Sequence, residues 1–179
     1  MATSEILLPE TKPETEWVRG RALQKMSPTR DHSLLQGAMT TALSAWAGGR
    51  ADVGPEWRFR VAPPGEPARP LVPDVALVAV DRLRGLSGRD LQIPQFAPDV
   101  AVEILSPDDR REDVDDKLST YLAAGCSLVI VVDPVLRQVE LHDPAGVAGL
   151  GRDADLVHAA LPGFSLSLEG LFATIDPPT

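Results

Sequence analysis

Residues 71–80, 99–105 and 128–133 are apolar at almost every position, filled by Val, Ala, Leu and Ile. Runs with so little polar alternation predict strands covered on both faces, as in the centre of an α/β sheet. A different period governs the segment in which Leu34, Leu35, Ala38, Met39, Ala42, Leu43 and Trp46 recur at three- and four-residue intervals. That spacing predicts a helix with one buried face, opened by Ser27-Pro28-Thr29 and stopped by Gly48-Gly49. A second helix is predicted over residues 109–124, with Val114, Leu118, Tyr121 and Leu122 as its apolar stripe and Gly125 as its stop. It joins two of the central runs into a strand, helix, strand unit.

Weaker patterns fill in the remainder. Residues 16–19 and 21–26 flank Gly20 and predict a small hairpin whose turn uses a glycine at positive φ. Short strands are predicted around 51–54 and 56–61, followed by a surface loop at Pro63-Pro64-Gly65-Glu66-Pro67. Residues 136–142 read as an edge strand, and Gly146, Gly149 and Gly151 as a loop. A strand at 161–164 and a short helical turn within 166–172 close the domain. Residues 1–13, with two prolines and no period, read as a loose arm, and residues 14–179 as one domain. The expected class is α/β, with a mixed sheet of five or more strands flanked by helices.

Composition narrows the possibilities. A chain of 179 residues with 44% hydrophobic and 24% charged residues has enough apolar surface for one core, so a disordered chain is excluded. The net charge of −9 means that a polyanion is repelled at long range and must be met through local contacts or a bridging metal. Cys126, the single cysteine, has no intrachain partner and apolar neighbours, which suits an inert packing role. No run of 18 apolar residues and no signal-like start occurs, so a cytoplasmic protein without a membrane segment is expected.

Candidate chemistry begins with Glu103, a lone acid inside Val100-Ala101-Val102-Glu103-Ile104-Leu105. A carboxylate withdrawn from water needs a metal, a cation or a cleft beside it. Asp74 follows Pro73 near the start of another apolar run, and Lys117 lies on the helix after Glu103. If the two strands are neighbours, their carboxylates meet. Two oxygen ligands completed by water and a substrate phosphate suit Mg2+, with Mn2+ as a substitute. A nearby ammonium would then assist phosphodiester hydrolysis by orienting water or offsetting charge.

Competing readings exist for each residue: Glu103 on a solvated sheet face, and Asp74 as a turn or strand-start carboxylate after proline. Lys117 follows Asp113 by four positions, the order of a helical surface pair. Glu16 is either a further ligand or an exposed hairpin residue. Asp99 sits about 13 Å along the strand from Glu103, too far to share an ion, and reads as a strand-start carboxylate. His32, His142 and His158 have no zinc spacing and read as surface residues. Ser106 has no histidine beside it and reads as a cap or turn. Aromatic residues make up only 4%, which argues against a base-stacking platform. Arg19, Arg21, Lys25 and Arg30, with Arg82, Arg84 and Arg89, are the local basic groups that would meet DNA phosphates.

These features resemble the Uma-type family of the PD-(D/E)XK restriction-endonuclease-like superfamily over about residues 16–172. The resemblance is carried by Glu16-Trp17-Val18-Arg19-Gly20, Met26-Ser27-Pro28 with His32, Val72-Pro73-Asp74-Val75-Ala76-Leu77-Val78, and Ala97-Pro98-Asp99-Val100-Ala101-Val102-Glu103-Ile104-Leu105-Ser106-Pro107. Lys117 before Tyr121, Ala124-Gly125, Val131-Val132-Asp133-Pro134 and Leu161-Pro162-Gly163 complete the series. It implies a restriction-endonuclease-like fold and a metal-dependent nuclease core in which Asp74 and Glu103 hold the ion. The superfamily's lysine, two positions after the second acid, is Leu105 here, so Lys117 has to supply the amine from the helix. DNA is the implied partner, and cutting both strands calls for a homodimer. Leu105 and the acidic charge support a different class, a noncatalytic binding or dimerisation module on the same fold; a hydrolase of another phosphate ester is a third reading.

Overall fold

The computed structural model describes residues 4–178. Its elements run β1 (Thr15–Val18), β2 (Arg21–Gln24), α1 (Arg30–Ala47), β3 (Ala51–Pro55), β4 (Phe59–Val61), β5 (Arg69–Leu71), β6 (Val75–Ala79), α2 (Val80–Leu83), α3 (Gly88–Gln92) and β7 (Val100–Ile104). They continue with α4 (Arg111–Ala123), β8 (Leu128–Asp133), β9 (Gln138–Asp143), β10 (Gly146–Leu150), β11 (Asp155–Leu156), β12 (Leu166–Ser167) and α5 (Leu168–Ala173). A six-stranded sheet of order β10-β9-β8-β7-β6-β3 forms the centre. Within this sheet only the β7 and β8 pair is parallel, because α4 carries the chain back across the sheet between them. The result is the mixed α/β architecture that the apolar runs predict.

Both faces of the sheet are covered, as those runs require. Val75, Leu77, Val100, Val102, Ile104, Leu128 and Ile130 pack with Leu35, Met39 and Leu43 of α1 and with Leu168, Leu171 and Phe172 of α5. The alternate residues Ala76, Val78, Ala101, Val129 and Val131 pack on the other face against Leu118 and Tyr121 of α4 and Val18 of β1. Side chains alternate along a strand, so Glu103 belongs to the α4 face, while Asp74 stands just before β6 at the end of the sheet. α1 is capped by Thr29, whose hydroxyl accepts from the His32 N–H at 3.4 Å, and by Gly48 in the left-handed region.

Several expectations are corrected. The apolar run at 71–80 is two strands: β5 pairs with β4 in a small separate sheet, and β6 enters the main sheet. Pro73 lacks the N–H that an unbroken ladder needs, and the chain changes sheets there. β9 is not an edge strand, since the glycine-containing segment expected as a loop is β10, paired along β9 from Gly146 to Leu150. Backbone pairing needs no particular side chains, and Asp143 Oδ1 closes the turn by accepting the N–H groups of Ala145 at 2.7 Å and Gly146 at 3.0 Å. Of the segment expected as a loose arm, residues 1–3 lie outside the described residues, while Glu5 forms a parallel bridge with Ala68.

Candidate active site

The register of β6 and β7 builds the site. Val75 pairs with Val102 in antiparallel sense, so Asp74, the residue before β6, comes to the end of β7 that carries Glu103 and Ile104. The Asp74 carboxylate turns back to the neighbouring strand: Oδ2 accepts the Ile104 N–H at 2.6 Å. His32 Nε2 lies 3.2 Å from the same oxygen. The other oxygen, Oδ1, accepts from the Lys25 ammonium at 2.7 Å. Burial alone would raise this carboxyl, but Lys25 and the His32 hydrogen bond outweigh it and hold Asp74 well below the usual carboxylate range.

Glu103 is matched from α4. Lys117 Nζ donates to Oε2 at 2.7 Å, and the Tyr121 hydroxyl donates to Oε1 at 3.2 Å. Lys117 also donates to Glu16 Oε2 at 3.1 Å. Burial is the largest influence on Glu103; helped by the Asp74 and Glu16 charges, it pushes the carboxyl up to about 7 despite Lys117. For Lys117 the balance runs the other way. Burial opposes its charge, yet Glu103 and Glu16 overcome it and raise the ammonium above its ordinary value.

The hairpin of β1 and β2 supplies the remaining wall. Gly20 and Arg19 take positive φ values of 74° and 48° at its turn, reversing the chain tightly enough to bring Glu16 and Lys25 to the same cleft. Glu16 is buried, its Oε1 accepting the Val72 N–H at 2.7 Å, which rejects the reading of an exposed hairpin residue. Asp74, Glu103, Lys117 and Glu16 therefore lie together on a cleft of about 1030 Å³, which Lys25, His32, Gln36 and Glu56 also line.

The sequence matches the Uma2 family, described as "Putative restriction endonuclease", over residues 4–169. The chain belongs to the Uma2 family. Among solved structures it is similar to that of a putative nuclease belonging to DUF820 from Anabaena variabilis, with a TM-score of 0.82 and 26% identity over 93% of this chain and 94% of that one. The fold is accordingly restriction-endonuclease-like. A search of curated proteins finds no match.

Within this Uma2 chain, the structure revises several residue readings. His32 is not on the surface; it is buried against Asp74, and its Nδ1 has no partner among the described residues. Lys117 pairs with Glu103 and Glu16, while the Asp113 expected to hold it is taken by Arg21 at 2.6 Å. Arg19 also lies on Asp113, and Lys25 on Asp74, so the hairpin cluster is neutralised internally and is not a free basic patch. Arg82 is bound to Asp99 at 2.6 Å, and Asp99 also accepts the Ala79 N–H, in keeping with a strand-start carboxylate. Cys126 is buried, its thiol pushed up to about 12 by burial, which suits packing rather than nucleophilic chemistry.

Lys25, Glu56 and Tyr121 complete the site in ways that sequence reasoning missed. Tyr121 belongs to the apolar stripe of α4 by spacing, and nothing local marks its hydroxyl as a partner of Glu103. Glu56 has one signal only: Pro55-Glu56 breaks the short strand run, and the structure holds Glu56 at a φ of 50°.

Glu103 and His32 also imply a pH dependence. Glu103, raised in the folded state from 4.5 to about 7, binds its proton more tightly folded than unfolded. Its contribution is full below pH 4.5 and is lost as pH rises through 7. His32, also raised by Asp74 against the opposing effect of burial, acts in the same direction. Unfolding free energy is therefore expected to fall by about 3 kcal/mol through Glu103 between pH 5 and 8. Urea titrations of the wild type and Glu103→Gln across that range check this, since the variant should show a shallower decline.

Proposed function

We propose that the protein is a metal-dependent endonuclease that hydrolyses DNA phosphodiester bonds, with Asp74 and Glu103 as metal ligands and Lys117 as the assisting amine. One observation carries the reading: two acids at the ends of neighbouring strands line one open cleft, and each already faces a cationic nitrogen at 2.7 Å. Hard carboxylate oxygens in a setting that favours positive charge fit a divalent ion such as Mg2+ or Mn2+. Among the described residues no three His, Cys, Asp or Glu side chains form a metal-holding group. Water and a substrate phosphate would therefore complete the shell, as is common for magnesium.

A bound ion would supply Lewis acidity, lowering the pKa of water and offsetting charge on the phosphorus centre. The chain's own residues do the rest. The Ile104 N–H and His32 would orient Asp74, and the Tyr121 hydroxyl would orient Glu103, each acid being held by its own partners on the shared cleft. Lys117 stays protonated and contributes fixed positive charge toward the phosphate oxygens. In the reaction the water oxygen bonds to phosphorus as it loses a proton, the bond from phosphorus to the leaving nucleotide oxygen breaks, and that oxygen takes up a proton from solvent. A net charge of −9 confines DNA contact to this local site. Cutting both strands of a duplex needs two such centres, so a homodimer is part of the proposal. No helix of the described residues is long and apolar enough to cross a membrane.

Supercoiled plasmid tests the reading. The wild type is expected to nick it with Mg2+ and not with a chelator, and Glu103→Gln to be slower by about 100-fold or more. Equal nicking by the two proteins would reject the assignment and favour a noncatalytic module on the same fold.

A further inference from the structure

The two oxygens of Asp74 are held in different ways. Oδ2 accepts a backbone N–H at 2.6 Å and faces His32 at 3.2 Å, both set by the frame of the fold. Oδ1 accepts from one side chain, Lys25, at 2.7 Å. An ion that uses Asp74 therefore reaches the oxygen that Lys25 occupies.

Lys25 also has somewhere else to go. Its ammonium already contacts both Glu56 oxygens, at 3.2 Å and 3.1 Å, and the Val72 carbonyl at 3.0 Å. The Glu56 side chain is 43% exposed at the rim of the cleft, against 3% for Asp74. Gln36 Nε2 steadies Glu56 at 2.9 Å and the Asp74 carbonyl at 2.8 Å. The second acid is thus held beside the first, and a small rotamer change of the flexible four-carbon stem can release Asp74 while keeping the ammonium on Glu56. The amine of Lys117 differs, because both of its acids, Glu103 and Glu16, are buried.

We infer that Lys25 is a resident counter-cation that competes with the divalent ion for Asp74 Oδ1, and that it sets the metal affinity of the site by withdrawing onto Glu56 when the ion enters. The inference rests on the metal-dependent reading above and assigns Lys25 a positioning role, acting through Asp74. A unit charge a few ångströms away opposes a cation strongly in a half-buried site, so the competition has a measurable size.

Two measurements, neither of them activity, test it. In calorimetric titration with Mn2+ alone, Lys25→Met is expected to bind roughly tenfold or more tightly than the wild type. In wild-type protein, amine labelling read by mass spectrometry follows the displacement directly. The chain has three lysines, Lys12, Lys25 and Lys117, and all three line the cleft, so an added lysine peptide serves as the standard. Mn2+ is expected to raise the labelling rate of Lys25 several-fold relative to that peptide. If Mn2+ binds but Lys25 labelling does not change, or a folded Lys25→Met binds no more tightly, the inference fails and the metal reading stands. If Mn2+ does not bind the wild type or the variant, both fall. Should Lys25→Met not fold, the wild-type labelling decides the matter alone.

Discussion

Lys117→Met is expected to destabilise the protein by about 3–5 kcal/mol. The methionine keeps most of the volume and the apolar contacts of the stem but removes the ammonium at 2.7 Å from Glu103 and 3.1 Å from Glu16. Two buried carboxylates are left without their shared cation, and their desolvation is no longer offset. For a chain of this size the loss corresponds to a fall in Tm of about 10 °C. Adding Glu103→Gln should recover much of it, because removing both partners of a buried pair costs far less than removing one. Urea unfolding of the single and double variants measures the coupling as a double-mutant cycle. A single-variant loss below about 1 kcal/mol would show that the pair behaves as a solvated surface contact.

Asp74→Asn is expected to cost a similar 3–5 kcal/mol and to abolish metal-dependent cleavage. The substitution looks conservative but is not. Both oxygens of Asp74 are surrounded by donors: Lys25 on one, the Ile104 N–H and His32 on the other. An asparagine must turn its own NH2 donor toward one of them, leaving a donor facing a donor and Lys25 buried beside a neutral group. Asp74→Ala should therefore be no worse than Asn, a ranking that simple loss of volume does not predict. The sign of the pH effect is fixed by the depressed Asp74 carboxyl. Its stabilisation is present above the unfolded value of 3.8 and is lost as pH falls through the folded value, so the gap between wild type and Asp74→Asn should narrow in acid. Guanidinium titrations at pH 7 and pH 3 compare the two. A gap that stays constant would mean that the charge of Asp74 contributes nothing to folding.

The three central runs and the two amphipathic helices are legible because burial on both faces of a sheet leaves an unbroken apolar signature, and burial on one face of a helix leaves a 3.6-residue one. Glu103 is legible for the opposite reason, as the single violation of such a run. β10 leaves no trace of this kind. Its side chains from Gly146 to Gly149 are exposed, and only its backbone is engaged. The break at Val72-Pro73-Asp74 is equally obscure, since Leu71 and Val75 are fully buried on either side of it and hydropathy does not report a change of sheet.

The site divides in the same way. Asp74, Glu103 and Lys117 could be picked out from residue type and from their spacing relative to predicted elements, and so could the family pattern they belong to. Their electrostatic partners could not. Glu16 lies 101 residues from Lys117, Lys25 lies 49 from Asp74, and His32 sits on a helix packed on the other face of the sheet. Hydrophobic periodicity is a local property, written along the chain by the side of each element that water must not reach. Which ammonium neutralises which acid depends on distances of a few ångströms between segments far apart in sequence, and only packing sets those. The residues thus specify the strands, the helices and the acids; the folded arrangement alone assigns each buried charge its counter-charge.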